Sequence, residues 1–428
     1  MMNRSLPVVA GLAGLLLAGA ASAAGKPLFV GANGNADARN EHALEQLLSN
    51  PSTRGIRIVQ ADATASDNAE IELVLGGRAL TADRSRSERT ASGSHVWYGR
   101  MRETAKTHGY APRETSADPL NDVVLVRRGD QVTGSVRVAG QLYRIRPLPS
   151  GATAVVEIDE SRMPADHPEE AYRALFEASV KDKIGNTPSG KPCRVNCGGS
   201  GTPVDPGPTQ TIRVMVVATD AAVANYGGDM LALTELAVAE SNQGYVNSNV
   251  GINLVLANYS TTNYVESTSF STDLSRFRGT ADGYMDGIHT TRNTAAADVA
   301  MLVINNASSC GLASGIGSTA STAFAAAHWD CTTGYYSFAH EIGHLQSARH
   351  DPATDGSTTP YAYGHGYRAP NNSWRTIMAY ACTGGGCPRL NYWSNPAVTY
   401  GGVPMGTYDK SHNQRVLAQT KATIAGFR

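Results

Sequence analysis

One short stretch constrains what this chain can fold into more than any other. Residues 337–351 read SFAHEIGHLQSARHD, so His340 and His344 stand four residues apart. On a helix, side chains at that spacing project from one face and can bind the same metal ion. Glu341 neighbours that face, where a carboxylate can take a proton from a water without being a metal ligand itself. The pattern predicts a helix that carries a metal site and a general base.

A third histidine adds a geometric requirement to this helix. His350 follows His344 by six residues, which on a continuous helix is about 9 Å along the axis and on a different side. The helix must therefore end soon after His344, and the chain must fold back. Three neutral imidazoles and a water make a tetrahedral catalytic zinc site, whereas non-haem iron sites use two histidines and a carboxylate. The sequence predicts one catalytic Zn2+ bound by His340, His344 and His350.

A second motif, centred on a methionine, follows the histidines. Residues 376–380 read TIMAY and place Met378 28 residues after His350. An extended zinc motif followed by such a methionine turn is typical of the metzincins, and residues 210–428 resemble these secreted zinc endopeptidases. HEIGHLQSARHD, TIMAYACTGGGCPRLNYWSNP and NQRVLAQT resemble most the bacterial peptidyl-Asp metalloendopeptidases. The HD that ends the histidine motif is similar to the reprolysin branch, and Tyr380 is similar to the tyrosine of astacins and serralysins.

The resemblance implies roles for the residues around the histidines. Glu341 would be the general base toward a water activated by zinc. Tyr380 would be an extra zinc ligand that swings to stabilise the transition state, the alternative being that it only packs beneath the site. Met378 would form the hydrophobic floor under the imidazoles. Ser347 replaces a glycine that metzincins usually carry, at a cost of about 1 kcal/mol if the backbone there is left-handed.

The resemblance also implies an acidic specificity. Peptides would bind in extended form along an edge strand at Gly311–Gly317 and be cut before Asp, with Glu as a second acceptable residue. A pocket for an acidic side chain needs a buried cation, and Arg pairs a carboxylate bidentately. Arg389 is the first candidate, followed by Arg375 and Arg349. Two alternatives stay open: a metzincin of broad specificity, and a catalytically weak zinc-binding adhesin or effector, against which the intact Glu341 argues.

The N-terminus indicates the compartment. Residues 1–23 combine a basic start, a short apolar run and an Ala-Ser-Ala end, as a secretory signal peptide does. The apolar run is shorter than the roughly 20 residues of a spanning helix, so we expect a secreted protein without a stable membrane anchor. Export permits disulfides, and six cysteines allow fifteen pairings. Pairing of neighbours is the simplest: Cys193 with Cys197, Cys310 with Cys331, and Cys382 with Cys387.

Composition and pattern divide the rest of the chain. Residues 186–209 are too rich in Gly and Pro for a helix or central strand and are interpreted as a linker. Residues 24–185 contain short alternating runs typical of strands, and no catalytic clustering of His, Cys and acids. Residues 210–428 alternate strand and helix, which predicts an α/β (α+β) domain with a twisted, mostly parallel sheet. A formal net charge of −1 argues against a nucleic-acid partner.

The predicted strands and helix can be assigned to definite residues. Predicted strands are Ile56–Val59, Glu70–Leu75, Asp122–Arg127, Gly134–Ile145 and Thr153–Ile158 upstream, and Thr211–Ala218, Ile252–Ala257 and Asp298–Ile304 downstream. Met230–Val246 has the periodicity of a helix. Together these patterns predict a β-rich domain followed by a catalytic domain with an active-site helix.

The family resemblance gives the upstream domain a role. Residues 24–185 would be a propeptide that inhibits the enzyme, because Gly134–Pro147 is similar to strands of reprolysin prodomains. Cys193 or Cys197 would be a zinc ligand of the latent form unless the two pair with each other. If the enzyme cuts before Asp and processes itself, the bond between Val204 and Asp205 is the expected site.

Overall fold

The fold is given by a computed structural model that describes residues 25–31, 37–102, 115, 118–174, 202–384 and 386–428. The expected signal peptide and most of the expected linker, with Cys193 and Cys197, lie outside these residues. Within the described part, no helix combines the length and the apolar character that crossing a membrane requires.

The N-terminal part is built on one nine-stranded sheet. Its strands run in the order β1-β3-β4-β5-β6-β7-β8-β9-β2, and apart from the parallel pair β1–β3 the neighbours are antiparallel. The strands are β1 (Lys26–Pro27), β2 (Thr53–Val59), β3 (Glu70–Leu75), β4 (Arg78–Arg89), β5 (His95–Met101), β6 (Asp122–Arg128), β7 (Gln131–Val138), β8 (Gln141–Pro147) and β9 (Thr153–Ile158). The described residues of this part also include helix α1 (Glu41–Ser49) and 3-10 turns at Ala38–Asn40, Ala63–Asp67 and Glu160–Arg162. The predicted β-rich character of this region is confirmed.

One predicted strand is in fact a hairpin. The run Gly134–Ile145 spans β7, a two-residue turn and β8, because Ala139 and Gly140 both have positive φ, 49° and 87°. Two consecutive positive φ values are what a tight hairpin turn of type I′ needs. The sequence predicts a single strand here because alanine at the first turn position is not a usual turn residue.

The C-terminal part contains a second, five-stranded sheet in the order β11-β10-β12-β14-β13. Its first four strands pair in parallel and β13 is antiparallel. The strands are β10 (Gln210–Thr219), β11 (Ile252–Thr262), β12 (Val299–Ile304), β13 (Gly311–Ala313) and β14 (Phe324–His328), and a separate pair is formed by β15 (Asn395–Tyr400) and β16 (Val403–Met405). Such parallel strands joined by helices confirm the predicted α/β class with a mostly parallel sheet.

In the part of the chain that the structure describes, six helices connect and cover this second sheet. They are α2 (Asp220–Tyr226), α3 (Met230–Asn247), α4 (Phe270–Arg278), α5 (Ile288–Thr294), α6 (Ser337–Leu345) and α7 (Asn413–Ile424), with a 3-10 turn at Trp329–Cys331. The sheet is buried on both faces. One core contains residues of α3, α6 and α7, and the other contains residues of α4. Helix α6 lies against β13 and β14 and carries the histidine motif into the interior.

Helix α3 joins the two parts of the molecule. Its N-terminus is capped by Asp229, whose side chain accepts hydrogen bonds from the backbone of Leu231 and Ala232. Most of its residues are buried, because one side packs on β11 and the other on β6 and β7 of the N-terminal sheet. A separate apolar cluster marks the second contact and consists of Val96, Tyr98, Val124, Val126, Ala232, Leu236 and Ala239.

Buried ion pairs add to this contact between the two parts. Arg144 of β8 pairs with Asp330 at 2.6 Å. Arg137 of β7 donates to the carbonyl of Gly334 at 2.7 Å and is itself neutralised by Glu160 at 2.7 Å. Charges taken out of water require such partners. The N-terminal sheet is therefore fixed on the segment that leads into α6.

Candidate active site

Helix α6 ends where the geometry of three histidines requires it to end. The helix stops at Leu345, and Ser347 has a φ of 75°, the left-handed conformation. The backbone N–H of Ala348 then donates to the carbonyl of Gly343 at 2.9 Å, which closes the turn. Serine adopts this conformation at a cost of about 1 kcal/mol relative to glycine. The reversal brings the chain back toward the helix at His350.

The three imidazoles meet with their Nε2 atoms together. Nε2 of His350 lies 3.2 Å from Nε2 of His340 and 3.1 Å from Nε2 of His344. Nδ1 of His340 lies 2.9 Å from the carbonyl of Ile377, and Nδ1 of His344 lies 2.9 Å from that of Ala348. An Nδ1 that faces a carbonyl must donate, so the Nε2 lone pairs of His340 and His344 are free, and both atoms lie close to Nε2 of His350. Burial also lowers the pKa of His344 to about 4 and keeps it neutral.

These nitrogens fit a zinc ion. Tetrahedral zinc with Zn–N bonds of 2.0–2.1 Å holds its ligand nitrogens about 3.3 Å apart. Lone pairs at the observed separations of 3.1 and 3.2 Å repel one another unless a proton or a cation lies between them. The carbonyls on Nδ1 are the orienting partners that metal-bound histidines ordinarily have. The donor set therefore suits a metal that prefers nitrogen and four-coordination.

Glu341 is fully enclosed beside the histidines. Its carboxyl group lies against the backbone of β13, where a Cβ on Gly311 would stand 2.3 Å from Oε1. Glycine at position 311 is thus what allows the carboxyl group to approach this strand. Burial raises the pKa of Glu341 to about 8, despite the opposing effect of His344. A carboxyl group with a pKa near neutrality can both accept and return a proton.

The turn that contains Met378 packs against α6, the helix that carries His340 and His344. Met378 is completely buried in the main core. A Cβ on Gly343 would stand 3.1 Å from its Sδ, so glycine permits α6 to rest on this side chain. Asp351 accepts from the backbone N–H of Tyr380 at 3.1 Å and so fixes the end of the turn. The ring of Tyr380 lies 4.3 Å from that of His350, measured between centroids.

A pocket of two buried arginines lies next to the histidines. Arg389 donates to Asp166 Oδ1 at 2.6 Å and to the carbonyl of Tyr335 at 2.9 Å. Nη1 of Arg375 lies 3.5 Å from the other carboxyl oxygen of Asp166, and Nη2 donates to the Tyr335 hydroxyl at 2.9 Å. Burial opposes ionisation of Asp166, but the two guanidinium groups outweigh it and lower the pKa of this carboxyl group. We call Arg375, Arg389 and Tyr335 the arginine pocket.

The third arginine candidate has a different acidic partner. Arg349 is buried and pairs with Asp355 at 2.8 Å. Three further buried histidines have structural partners. His328 contacts the carbonyl of Ile304, His365 those of His350 and Ser357, and His412 the side chain of Gln414.

His167 is the residue that sequence reasoning missed. The upstream region has no catalytic cluster of its own in the sequence, yet one ligand atom each from His167, His340, His344 and His350 lie within 4.8 Å of one another. Nε2 of His167 is 3.1 Å from Oε1 of Glu341, and its Nδ1 is 3.0 Å from the Tyr380 hydroxyl. The available signal was the sequence PADHP at 164–168, since a residue that precedes proline, as His167 does, favours an extended backbone.

Two of the expected disulfides are present near the site. Cys310 pairs with Cys331 and Cys382 with Cys387, as neighbour pairing predicts. The first immediately precedes β13, and the backbone N–H of Cys310 donates to the carbonyl of Ala165 at 2.8 Å. The expected third pair lies outside the described residues. Both disulfides therefore brace the loops that surround the histidines and Arg389.

Comparison with known proteins agrees with this arrangement. Residues 208–394 match the model of a reprolysin group of metallo-peptidase family M12. A peptidyl-Asp metalloendopeptidase of Stenotrophomonas maltophilia is 56% identical over 435 residues, and one of Xanthomonas campestris pv. campestris is 54% identical over 435 residues, both covering 100% of the two chains compared. A protein of the same name from Pseudomonas fragi is 58% identical over 190 residues, which are 44% of this chain and 100% of that one. The first two relatives match both parts of the molecule.

Proposed function

This chain belongs to the peptidyl-Asp metalloendopeptidases of the reprolysin-like M12 metallopeptidases, and on that premise we propose that it is a secreted zinc endopeptidase that cleaves before Asp. That it is a metal-dependent peptidase follows from the family itself. The identity of the metal, the residues that act and the preference for Asp are the proposal. The observation that carries the preference is a buried aspartate carboxyl group held by Arg389 beside the histidine cluster.

His340, His344 and His350 would hold the zinc ion. The free Nε2 lone pairs and the carbonyl partners of His340 and His344 support this assignment, as do the short distances from both Nε2 atoms to Nε2 of His350. When bound, zinc supplies Lewis-acid polarisation of the scissile carbonyl and acidifies a water. The three histidines leave the side toward Glu341 and Tyr380 for substrate.

Glu341 would be the general base. Its carboxyl group is enclosed between α6 and β13, so it would meet a water that sits between this strand and the histidines. It would take the proton of that water and return it to the leaving amine. Tyr380, whose hydroxyl points into the same space, would donate a hydrogen bond to the oxygen that gains charge in the transition state.

The arginine pocket would select the residue after the cut bond. Asp166 and His167 are consecutive, so a carboxyl group in the pocket is one residue away from a side chain over the histidines. A peptide residue with its carboxyl group in the pocket would therefore place a neighbouring peptide bond at the metal site. Aspartate fits because a buried guanidinium pair left without an anion is costly.

The remaining proposals concern export and maturation. Residues 1–23 would be removed as a signal peptide, residues 24–185 would be an inhibitory propeptide, residues 186–209 the linker and residues 210–428 the mature catalytic domain. The two disulfides support an oxidising, extracellular location. The insertion of Asp166 and His167 into the site supports an inhibitory role for the upstream segment.

Digestion of a proteome-derived peptide library tests the specificity. We expect most new N-termini to begin with Asp, because only an anion satisfies the arginine pocket. Mass spectrometry of the products gives the frequency of each residue on both sides of the cut. A parallel digest after metal removal by chelation, and a third after restoring Zn2+, are the controls. Cuts spread over apolar residues would contradict the acidic preference and favour a metzincin of broad specificity.

Maturation tests the same preference within the chain. Asp205 is exposed, and its neighbour Val204 is held by Gln414, which donates to the Val204 carbonyl at 3.3 Å. Exposed, extended backbone is where proteolysis concentrates, so we expect the mature enzyme to begin at Asp205. N-terminal sequencing of the secreted wild type and of Glu341→Gln measures this. A start at another residue refutes the site, and identical processing of the inactive variant shows that a different protease cuts it.

A further inference from the structure

Residues 164–172 cross the candidate active site although they belong to the upstream part of the chain. We propose that Asp166 and His167 keep the full-length chain inactive as a reversed copy of a substrate, with Asp166 in the arginine pocket and His167 as the fourth ligand of the metal. This inference rests on the proposed function, and its experiments separate the two.

The four imidazoles form a nearly regular tetrahedron. The centroid of the His167 ring lies 5.0, 5.1 and 4.7 Å from those of His340, His344 and His350. The three distances among the last three rings are 4.8, 5.2 and 4.8 Å. His167 is buried and stands over the face that the other three leave open. Four-coordinate sites made only of protein side chains are closed, whereas catalytic zinc keeps one position for water or substrate.

Asp166 anchors the neighbouring residue through charge. It lies between two buried guanidinium groups, 2.6 Å from Arg389 and 3.5 Å from Arg375. Removing it would leave two cations in the interior with no carboxylate between them, which is costly. The same contact that would recognise a substrate aspartate therefore holds the inhibitory segment.

The segment lies in the direction opposite to that of a substrate. In a substrate cut before Asp, the reacting carbonyl belongs to the residue that precedes the aspartate. Here the group over the histidines is the side chain of the residue that follows it. The carbonyls of Ala165 and Asp166 instead accept hydrogen bonds from Cys310 at 2.8 Å and Gly311 at 3.1 Å. The segment can therefore fill both subsites without presenting a bond to be cut.

A short helix fixes the other end of the segment. Residues 169–174 are helical, and Tyr172 stacks on His350 with ring centroids 4.1 Å apart. The Tyr172 hydroxyl donates to Asp355 at 2.8 Å. Tyr172 thus covers one face of the His350 ring. The inhibitory segment is held at three points: the arginine pocket, the histidine cluster and Asp355.

Access to the metal tests the fourth ligand. The full chain carrying Glu341→Gln, which should not process itself, is loaded with Co2+ and titrated with acetohydroxamate while its visible absorption is recorded. With His167 in place, we expect the visible absorption to change only at high acetohydroxamate concentration. Adding His167→Ala should lower the apparent dissociation constant of acetohydroxamate by about 100-fold or more. Without His167, binding no longer depends on a rarely populated state in which the fourth position is open. His42→Ala, which removes an exposed histidine of α1, should change nothing.

The possible results have distinct meanings. Equal dissociation constants of acetohydroxamate with and without His167 would overturn the proposal that His167 is the fourth ligand. They would not affect the proposed peptidase function. Failure of the chain to bind Co2+ at all overturns the proposed metal site, and the inference with it. If His167→Ala does not fold, His167→Gln replaces it, because glutamine keeps a polar side chain of similar reach.

Hydrogen exchange tests the anchor. In the same Glu341→Gln chain loaded with Zn2+, Asp166→Asn should raise the exchange rate of residues 163–173 at least about tenfold, because a neutral amide loses its attraction to two buried arginines. Glu169→Gln removes a nearby exposed carboxylate and is the control. Unchanged exchange in Asp166→Asn overturns the anchoring role. Increased exchange across the whole chain, and not only in this segment, overturns it as well.

Discussion

Replacing Glu341 by glutamine should leave a chain that binds its metal ion but hydrolyses peptides about 10²–10⁴ times more slowly. Glutamine has the same shape, and the three histidines are untouched, so the metal site should persist. It cannot accept a proton from water, which removes the general base. Metal content by mass spectrometry and kcat/KM on an Asp-containing peptide are measured, after the linker of both chains has been cut by the same added protease.

A second buried glutamate provides the control for this substitution. Glu240 of α3 is enclosed, and burial raises its pKa to about 7, but its carboxylate accepts from the backbone of Gly334 and lies outside the site. Glu240→Gln should keep its activity. Near-normal hydrolysis by a zinc-replete Glu341→Gln chain would contradict the assigned mechanism. Loss of metal together with activity would show that Glu341 supports the ligands instead.

Replacing Arg389 by alanine should remove the preference for aspartate. Truncating one member of a buried, hydrogen-bonded charge pair costs about 2–5 kcal/mol, so kcat/KM for an Asp peptide should fall about 30-fold or more relative to its Ala counterpart. The ratio of two substrates is measured within one preparation. It does not depend on how much active enzyme is present.

Two further variants, one conservative and one a control, test the same prediction. Arg389→Lys keeps the charge but not the planar fork, so the preference should fall by a smaller factor. Arg415→Ala removes an arginine that packs on Tyr363 of the C-terminal part and should leave the preference unchanged. An undiminished Asp preference in Arg389→Ala would transfer the selecting role to Arg375, the other cation beside Asp166.

The histidine motif was predictable because its information is local. The spacing of His340 and His344 requires a helix, and the position of His350 requires the helix to end, as it does at Leu345. The parallel sheet was predictable for a similar reason, since its strands are short apolar runs separated by helical periodicity. Both the histidine motif and the strands depend on residues that are close together in the sequence.

The role of His167 was not predictable, because its partners are more than 170 residues away in the sequence. No local spacing relates it to His340, and its approach depends on how the N-terminal sheet is placed on α3. The turn at Ala139 and Gly140 was missed for another reason, since an alanine with positive φ carries no sequence signal. Arg389 could be predicted only from the chemistry that binding an acidic side chain requires. Its contact with Asp166 could not be predicted without the fold.

The apolar contact between α3 and the N-terminal sheet is unequal on its two sides. The helix contributes Ala232, Leu236 and Ala239, whereas the sheet contributes three valines and a tyrosine. Exposing a buried valine or leucine to water costs about 1.5–3 kcal/mol, and exposing an alanine costs less. If the upstream part is removed as proposed, most of the hydrophobic penalty of separation therefore falls on that part. The catalytic part would then stay dispersed in solution, and the released sheet would be the species prone to aggregation and degradation, which would make the proposed activation hard to reverse.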